Sequence, residues 1–237
     1  MQKIIHKAGT RGYANHGWLK SHHTFSFANY YDPSRIHFGA LRVLNDDEVK
    51  GGMGFGAHPH DNMEIVSIVL DGSLEHRDNT GRHEVIRKND VQAMSAGKGV
   101  VHSEFNASKT DDARFLQIWV FPKERNIEPR YDQRTFDPAT RENEMQVIVA
   151  PDGNNGALQL HQDTWFTLGK FDEGHEVEIS SKFPGSGSYL FLISGEIKVA
   201  DEILQARDAI GISDYNNITV KVLKPAEFLL IDVPMMN

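Results

Sequence analysis

The chain has no cysteine. Disulfides, thiolate metal sites and cysteine nucleophiles are thereby excluded, and any bound metal must rest on nitrogen and oxygen ligands. Positive charge is also in short supply: 25 Lys and Arg stand against 33 Asp and Glu, a formal net charge of -8. That balance argues against direct binding to nucleic acid or to an anionic membrane surface. There is no run of about 18 apolar residues to span a bilayer. Met1–Lys7 holds no long apolar segment and no cleavage pattern, so we expect no secretory signal and a cytoplasmic protein. Helical periodicity is scarce throughout.

Short runs of β-branched and apolar residues between turn signals fill the chain instead. Glu64–Leu70 precedes Asp71-Gly72, Phe115–Phe121 precedes Pro122, and Gln146–Val149 precedes Pro151-Asp152-Gly153. Tyr189–Ile193, Ile197–Val199, Ile218–Leu223 and Phe228–Val233 follow, with a turn expected at Ser194-Gly195. Many short strands point to sandwiches or barrels. The length of 237 residues allows one large β domain or two small ones. Pro122–Asp137 is charged, bracketed by prolines and poor in apolar residues, and reads as a crossing segment between two β units. The stretch from Ile68 through Asp71-Gly72 to His76 resembles the one from Leu192 through Ser194-Gly195 to Lys198, which hints at a duplicated barrel.

Two patches carry the chemistry. The first runs from Gly52 to His58-Pro59-His60, followed by Asn62 and Glu64; the second is Gly97-Lys98-Gly99 followed by His102-Ser103-Glu104. Each holds ligand-type side chains at i and i+2, which a β-strand turns to one face. Two such strands facing each other can close a site of three imidazoles and a carboxylate, a set that suits Fe, Mn, Cu, Ni or Zn. In strand parity Asn62 and Glu64 also face the barrel interior. One carboxylate beside three neutral imidazoles balances a divalent ion, so charge does not choose between Glu64 and Glu104. Each patch alone also fits histidines on a surface loop. His6, His16, His37, His76 and His83 have no ligand-spaced partner, His22 and His23 read as structural, and His161 and His175 in the second half are isolated.

At this point the sequence resembles a known family. Gly52-x5-His58-x-His60-x3-Glu64 and Gly97-x-Gly99-x2-His102-x3-Asn106 resemble the two cupin motifs. Asn15-His16-Gly17-Trp18, His23-Thr24-Phe25-Ser26-Phe27, Leu41-Arg42-Val43 and Pro129-Arg130-Tyr131 resemble the pirin family, and within it the bacterial quercetin 2,3-dioxygenases. The resemblance is specific over residues 1–135 and looser beyond. It implies an all-β bicupin of two jelly-roll barrels in tandem: a metal-binding cupin at 1–135 and a metal-free cupin-like domain at 136–237. It implies one divalent transition metal on His58, His60, His102 and Glu104, iron first, with Zn, Mn, Cu, Ni or Co as alternatives. Glu64 then supports the site or sits in the core.

The resemblance further implies oxidative ring opening of a flavonol such as quercetin with O2 and release of carbon monoxide, Glu104 serving as ligand, general base or both. Phe25, Phe27, Phe38, Phe55 and Met94 are candidates for the pocket walls. An alternative, also implied by relatives, is a metal- or redox-sensing protein that regulates a transcription factor or metabolic enzyme through a protein partner. A monomer is expected, since a bicupin pairs its barrels internally.

Overall fold

The structure is a computed structural model and describes residues 1–236. Its first half contains β1 (Gln2–His6), β2 (Gly12–Asn15), β3 (Leu19–His23), β4 (Leu41–Val49), β5 (Gly54–His60) and β6 (Glu64–Asp71). It continues with β7 (Ser73–Asp78), β8 (His83–Arg87), β9 (Asp90–Ser95), β10 (Val100–Asn106), β11 (Ala113–Val120) and β12 (Arg130–Thr135). The second half holds β13 (Glu144–Ala150), β14 (Leu158–Gln159), β15 (Trp165–Phe171), β16 (Glu176–Ser180), β17 (Ser186–Val199), β18 (Glu202–Gln205), β19 (Ala209–Ser213) and β20 (Asn217–Pro234). Among the described residues the only helical pieces are turns of three or four residues, and no helix is long and apolar enough to cross a membrane.

The first barrel is two sheets. Seven strands in the order β12-β9-β6-β11-β4-β3-β2 form one, and β5-β10-β7-β8 form the other. The second half is a nine-stranded sheet with β1-β19-β17-β20-β15-β13-β14 along its path. A limit at 135/136 is our proposal for the domain boundary. Sheet membership supports it except at β1, which pairs with β19 and so crosses into the second unit.

The seven-stranded sheet is buried on both faces. Leu44, Val66, Ile68, Leu116 and Ile118 on one face join Phe166, Tyr189, Phe191, Leu229 and Ile231 of the second half in one apolar core. The other face closes the first barrel. There Leu19, Val69, Leu74 and Phe115 pack as one apolar cluster, and Ile65, Met94 and Val100 as another.

Two expectations are corrected. The segment 122–137 is not only a crossing: it contains β12, which pairs with β9 at the sheet edge. Its alternating Arg130, Asp132 and Arg134 reflect an edge strand with partly wet side chains. Nor does the chain turn back at Ser194-Gly195. β17 and β20 run on through register shifts around Ser194 and Glu196, bending at bulges. Gly195 has φ +90°, and a Cβ there would lie 2.2 Å from the Pro225 carbonyl oxygen, so only glycine fits the bend.

Candidate metal centre

The two histidine patches do not face each other across the barrel. They are neighbours in one sheet, β5 beside β10, with His58 directly opposite His102 and His60 opposite Val100. On its other side β10 pairs with β7, setting Glu104 opposite His76 and His102 opposite Asp78. A bulge between His102 and Glu104 on the β5 side shifts the register. Gly97 makes the turn before β10 at φ +51°, where a Cβ would sit 2.1 Å from the Ile127 carbonyl oxygen.

The three histidines converge. Ring centroids are 4.9 Å apart for His58 and His60, 4.5 Å for His58 and His102, and 4.9 Å for His60 and His102. One nitrogen from each lies within 4.8 Å of the other two. His58 Nδ1 donates to the Gly56 carbonyl at 2.8 Å, which leaves Nε2 with its lone pair. His60 Nε2, His102 Nε2 and Glu104 Oε1 are buried without a hydrogen-bond partner. Buried polar atoms are rarely left so. A divalent cation among the three rings would supply the partner that the His60 and His102 nitrogens lack, with Glu104 beside it, so the residues fit a metal ion.

Burial also prepares these groups. Desolvation, then the neighbouring His58, lowers the His60 pKa to about 4. Desolvation and the adjacent histidines lower that of His102 to about 2. Both rings are thus neutral at pH 7, the form a metal requires. Desolvation raises the Glu104 carboxyl to about 7, against the opposing hydrogen bond from Gln117. Gln117 Nε2 donates to Glu104 Oε2 at 3.0 Å and is itself fixed through Ser67 Oγ, which donates to Gln117 Oε1 at 2.6 Å.

The four expected ligands are not drawn together equally. Glu104 groups within 4.8 Å with His102 and His76, and not with all three of His58, His60 and His102. It stands on the flank of the three-histidine cluster with Oε1 free. Glu64 belongs to neither cluster. Its Oε2 accepts from Ser95 Oγ at 2.7 Å and from the backbone N–H of His161 at 3.2 Å, linking the two halves. Asn62 and Glu64 do not continue the face of His58 and His60, because β5 ends at His60 and the chain changes sheet through a turn. Asn62 there has φ +47° and bonds to Asn126.

His76 is the functional neighbour that sequence reasoning missed. It is fully buried, with its Nδ1 3.4 Å from His102 Nδ1 and its Nε2 3.0 Å from Asp78 Oδ2. The signal was present: His76-x-Asp78 repeats the i, i+2 spacing of the two patches on the adjacent strand. The other histidines stand elsewhere. His6 bonds Tyr189 in the core, His37 bonds the Gly39 carbonyl and His83 pairs with Glu75. His16 and His23 line the cavity described next.

A cavity of about 640 Å³ opens over the cluster, in the range of small-molecule sites. Its walls include Trp18, Phe27, Tyr30, Phe55, Phe115 and Trp119. Of the five expected wall residues, Phe27 and Phe55 line it. Phe25 and Phe38 belong to the core between the halves, and Met94 packs with Ile65. A polar row crosses the seven-stranded sheet in register, from His23 to Asn45 to Gln117 to Ser67. His23, Asn45 and Gln117 of that row line the cavity.

Two β-barrels in tandem, the first holding a three-histidine cluster under an aromatic cavity, define a bicupin built around a metal-type centre. The chain belongs to the pirin family: the pirin family model matches residues 5–120, and the model for a quercetinase C-terminal cupin domain matches residues 147–233. It is 40% identical over 234 residues to a protein of Escherichia coli K12 named quercetin 2,3-dioxygenase, covering 97% of this chain and 98% of that one. The crystal structure of YhhW from Escherichia coli superposes with a TM-score of 0.95 at 39% identity, over 100% of this chain and 99% of that chain. A second structure, described as the bacterial pirin YhhW in complex with nickel(II), gives 0.94 at 38% identity, over 99% of this chain and all of that one.

Proposed function

We propose that this chain is a metal-dependent dioxygenase that opens the central ring of a flavonol of the quercetin type. O2 is taken up, one ring carbon leaves as carbon monoxide, and both oxygen atoms stay in the organic product, so no external reductant is needed. The carrying observation is the convergence of His58, His60 and His102, with Glu104 beside them, at the floor of an aromatic-walled cavity. The names and near-complete coverage of the relatives support the same reading.

His58, His60 and His102 would hold the metal, with Glu104 as fourth ligand once its free Oε1 turns toward them. We take the ion to be iron, with Ni, Mn, Co, Cu or Zn as functional or adventitious substitutes. When bound, it supplies Lewis acidity that favours the ionised 3-hydroxyl of the substrate. The protein's own part is to bind, orient and move a proton. Trp18, Phe27, Phe55, Phe115 and Trp119 offer flat apolar surface to a planar ring system and exclude water around it. Gln117 and Ser67 hold one Glu104 oxygen, so Oε1 is the atom that ligates the metal or, when released from it, accepts a proton from a phenolic hydroxyl. A carboxyl pushed up to about 7 is matched to that task near neutral pH.

The sign of the pH dependence follows. His60 and His102 remain neutral well below pH 6, so they do not compete with the metal for protons there. Glu104 does, because it is protonated below about pH 7 in the metal-free protein. Glu104 should therefore contribute about a tenfold fall in metal affinity per pH unit below that point, one proton of its own being displaced per ion bound. Calorimetry in buffers of different ionisation enthalpy reads the proton count. Glu104→Gln should lower the count by one; if it leaves the count unchanged, Glu104 is not the ligand.

Activity is tested with anaerobically purified, metal-assayed protein by oxygen uptake and loss of quercetin's long-wavelength absorbance. Fully metallated protein that leaves quercetin and related flavonols intact would overturn the enzymatic reading.

A further inference from the structure

His76 and Asp78 have side chains buried beside the cluster, yet neither is among the three converging histidines. We infer that this pair is a positioning device: it sets the tautomer and the orientation of the His102 ring so that Nε2 is presented as a lone pair. The inference rests on reading the three histidines as a metal centre.

The proton positions follow one from another, beginning at Asp78. Asp78 Oδ1 accepts from the N–H of Thr80 at 2.9 Å, from Thr80 Oγ1 at 2.6 Å and from the N–H of Arg82 at 3.3 Å. The carboxylate is therefore fixed, with Oδ2 turned to His76 Nε2 at 3.0 Å. A carboxylate only accepts, so His76 Nε2 carries a proton. A neutral His76 then has a bare Nδ1. Facing it at 3.4 Å is His102 Nδ1, and of these two nitrogens only that of His102 is left to donate. His102 is consequently protonated at Nδ1, and its unpartnered Nε2 is the ligand atom. Orienting a metal-ligating imidazole through its second nitrogen is a general device, and a carboxylate at the far end raises the ring's donor strength. Here an extra imidazole is interposed between the two.

Packing keeps this chain of three side chains in line. The side chains of His76 and Asp78 are 0% and 2% exposed. Tyr131 lies 4.7 Å from the His76 ring, and the Arg82 guanidinium covers Tyr131 at 4.6 Å. β-Sheet pairing places Asp78 opposite His102 and His76 opposite Glu104, so the backbone itself sets the spacing.

A competing assignment makes His76 a ligand in a second cluster with His102 and Glu104. Taking His102 through the Nδ1 that faces His76 at 3.4 Å, it would leave His60 Nε2 and His102 Nε2 buried without partners. Geometry thus favours the positioning role.

The test begins with the metal-free wild-type protein, where nitrogen-15 NMR of the imidazoles reads tautomers directly. His102 is expected as Nδ1–H; an Nε2–H signal for His102 overturns the inference. Nickel(II) is then the probe in chelator-competition titrations of His76→Phe, His76→Gln and Asp78→Asn, with circular dichroism as the folding control. His76→Phe removes the acceptor and should weaken binding by about 10- to 100-fold at unchanged stoichiometry. His76→Gln can accept from His102 and donate to Asp78, so it should recover most of the loss. Asp78→Asn should fall between. Wild-type affinity in folded His76→Phe overturns the positioning role, and so does loss of binding by His76→Gln as complete as in His58→Ala, which would make His76 a ligand. If the wild-type protein binds no metal, the metal-centre reading fails instead, and the tautomer spectrum still decides the placement of the His102 proton.

Discussion

The full chain carrying His102→Ala is expected to retain no stoichiometric metal after dialysis and to leave quercetin's absorbance unchanged. His102 is the ring that the rest of the site converges on. It stands opposite His58 across the strand pair, belongs to both ligand clusters and is the partner of His76. Its removal leaves His58 and His60 on one strand, two nitrogens without a closing third. Losing a partner behind a ligand costs about 10- to 100-fold in affinity. Losing the ligand itself should cost at least about a thousandfold, roughly 4 kcal/mol. The informative control is Glu64→Gln. Glu64 bonds Ser95 and the His161 backbone and lies outside both clusters, so its variant should bind metal with wild-type stoichiometry. Metal content by mass spectrometry of both variants checks the pair. A metallated His102→Ala, or a metal-free but folded Glu64→Gln, would reverse the assignment.

Much of that site is legible in the sequence because a strand repeats every two residues. His58-x-His60 and His102-x-Glu104 announce their shared face wherever the strands lie. Which strands adjoin is a different matter. β5 and β6 are consecutive yet fall in different sheets, because the turn at Asp61–Met63 carries the chain across the barrel. No local pattern records that, so Glu64 looked like a possible ligand and is instead a tie between the two halves. The wall residues show the same limit. Phe25 and Phe27 share a parity in an irregular segment, but Phe25 meets Tyr189 in the core while Phe27 meets Trp119 over the cavity. Both faces of the seven-stranded sheet are buried, so hydrophobicity alone does not separate core from pocket. The bicupin plan itself was readable from turn-punctuated strands and the family motifs. The bends in β17 and β20 were not, since a glycine-centred bulge and a glycine turn look alike in sequence.

Phe166→Ala is expected to lower the stability of both halves together. Phe166 is fully buried on β15 and packs in the apolar core shared by the seven-stranded sheet and the second half. Replacing a buried phenylalanine by alanine costs about 3–5 kcal/mol through lost transfer energy and the cavity left behind. For a chain of this size that corresponds to a fall in Tm of very roughly 10 °C. The cavity would open in the core that Phe166 shares with Leu116 and Ile118, whose strand β11 also carries Gln117 and Trp119 into the site. β1 adds a covalent and hydrogen-bonded tie, since it begins the chain yet pairs with β19. Two barrels that share a core and exchange a strand should unfold in one transition. Calorimetry of the metal-free variant should therefore show a single endotherm at lower temperature. Added metal should raise that Tm by mass action even though the substitution lies in the second half. Two separate transitions, with only the one unaffected by metal shifted down, would mean that the halves are stable independently and that the shared core does not couple them.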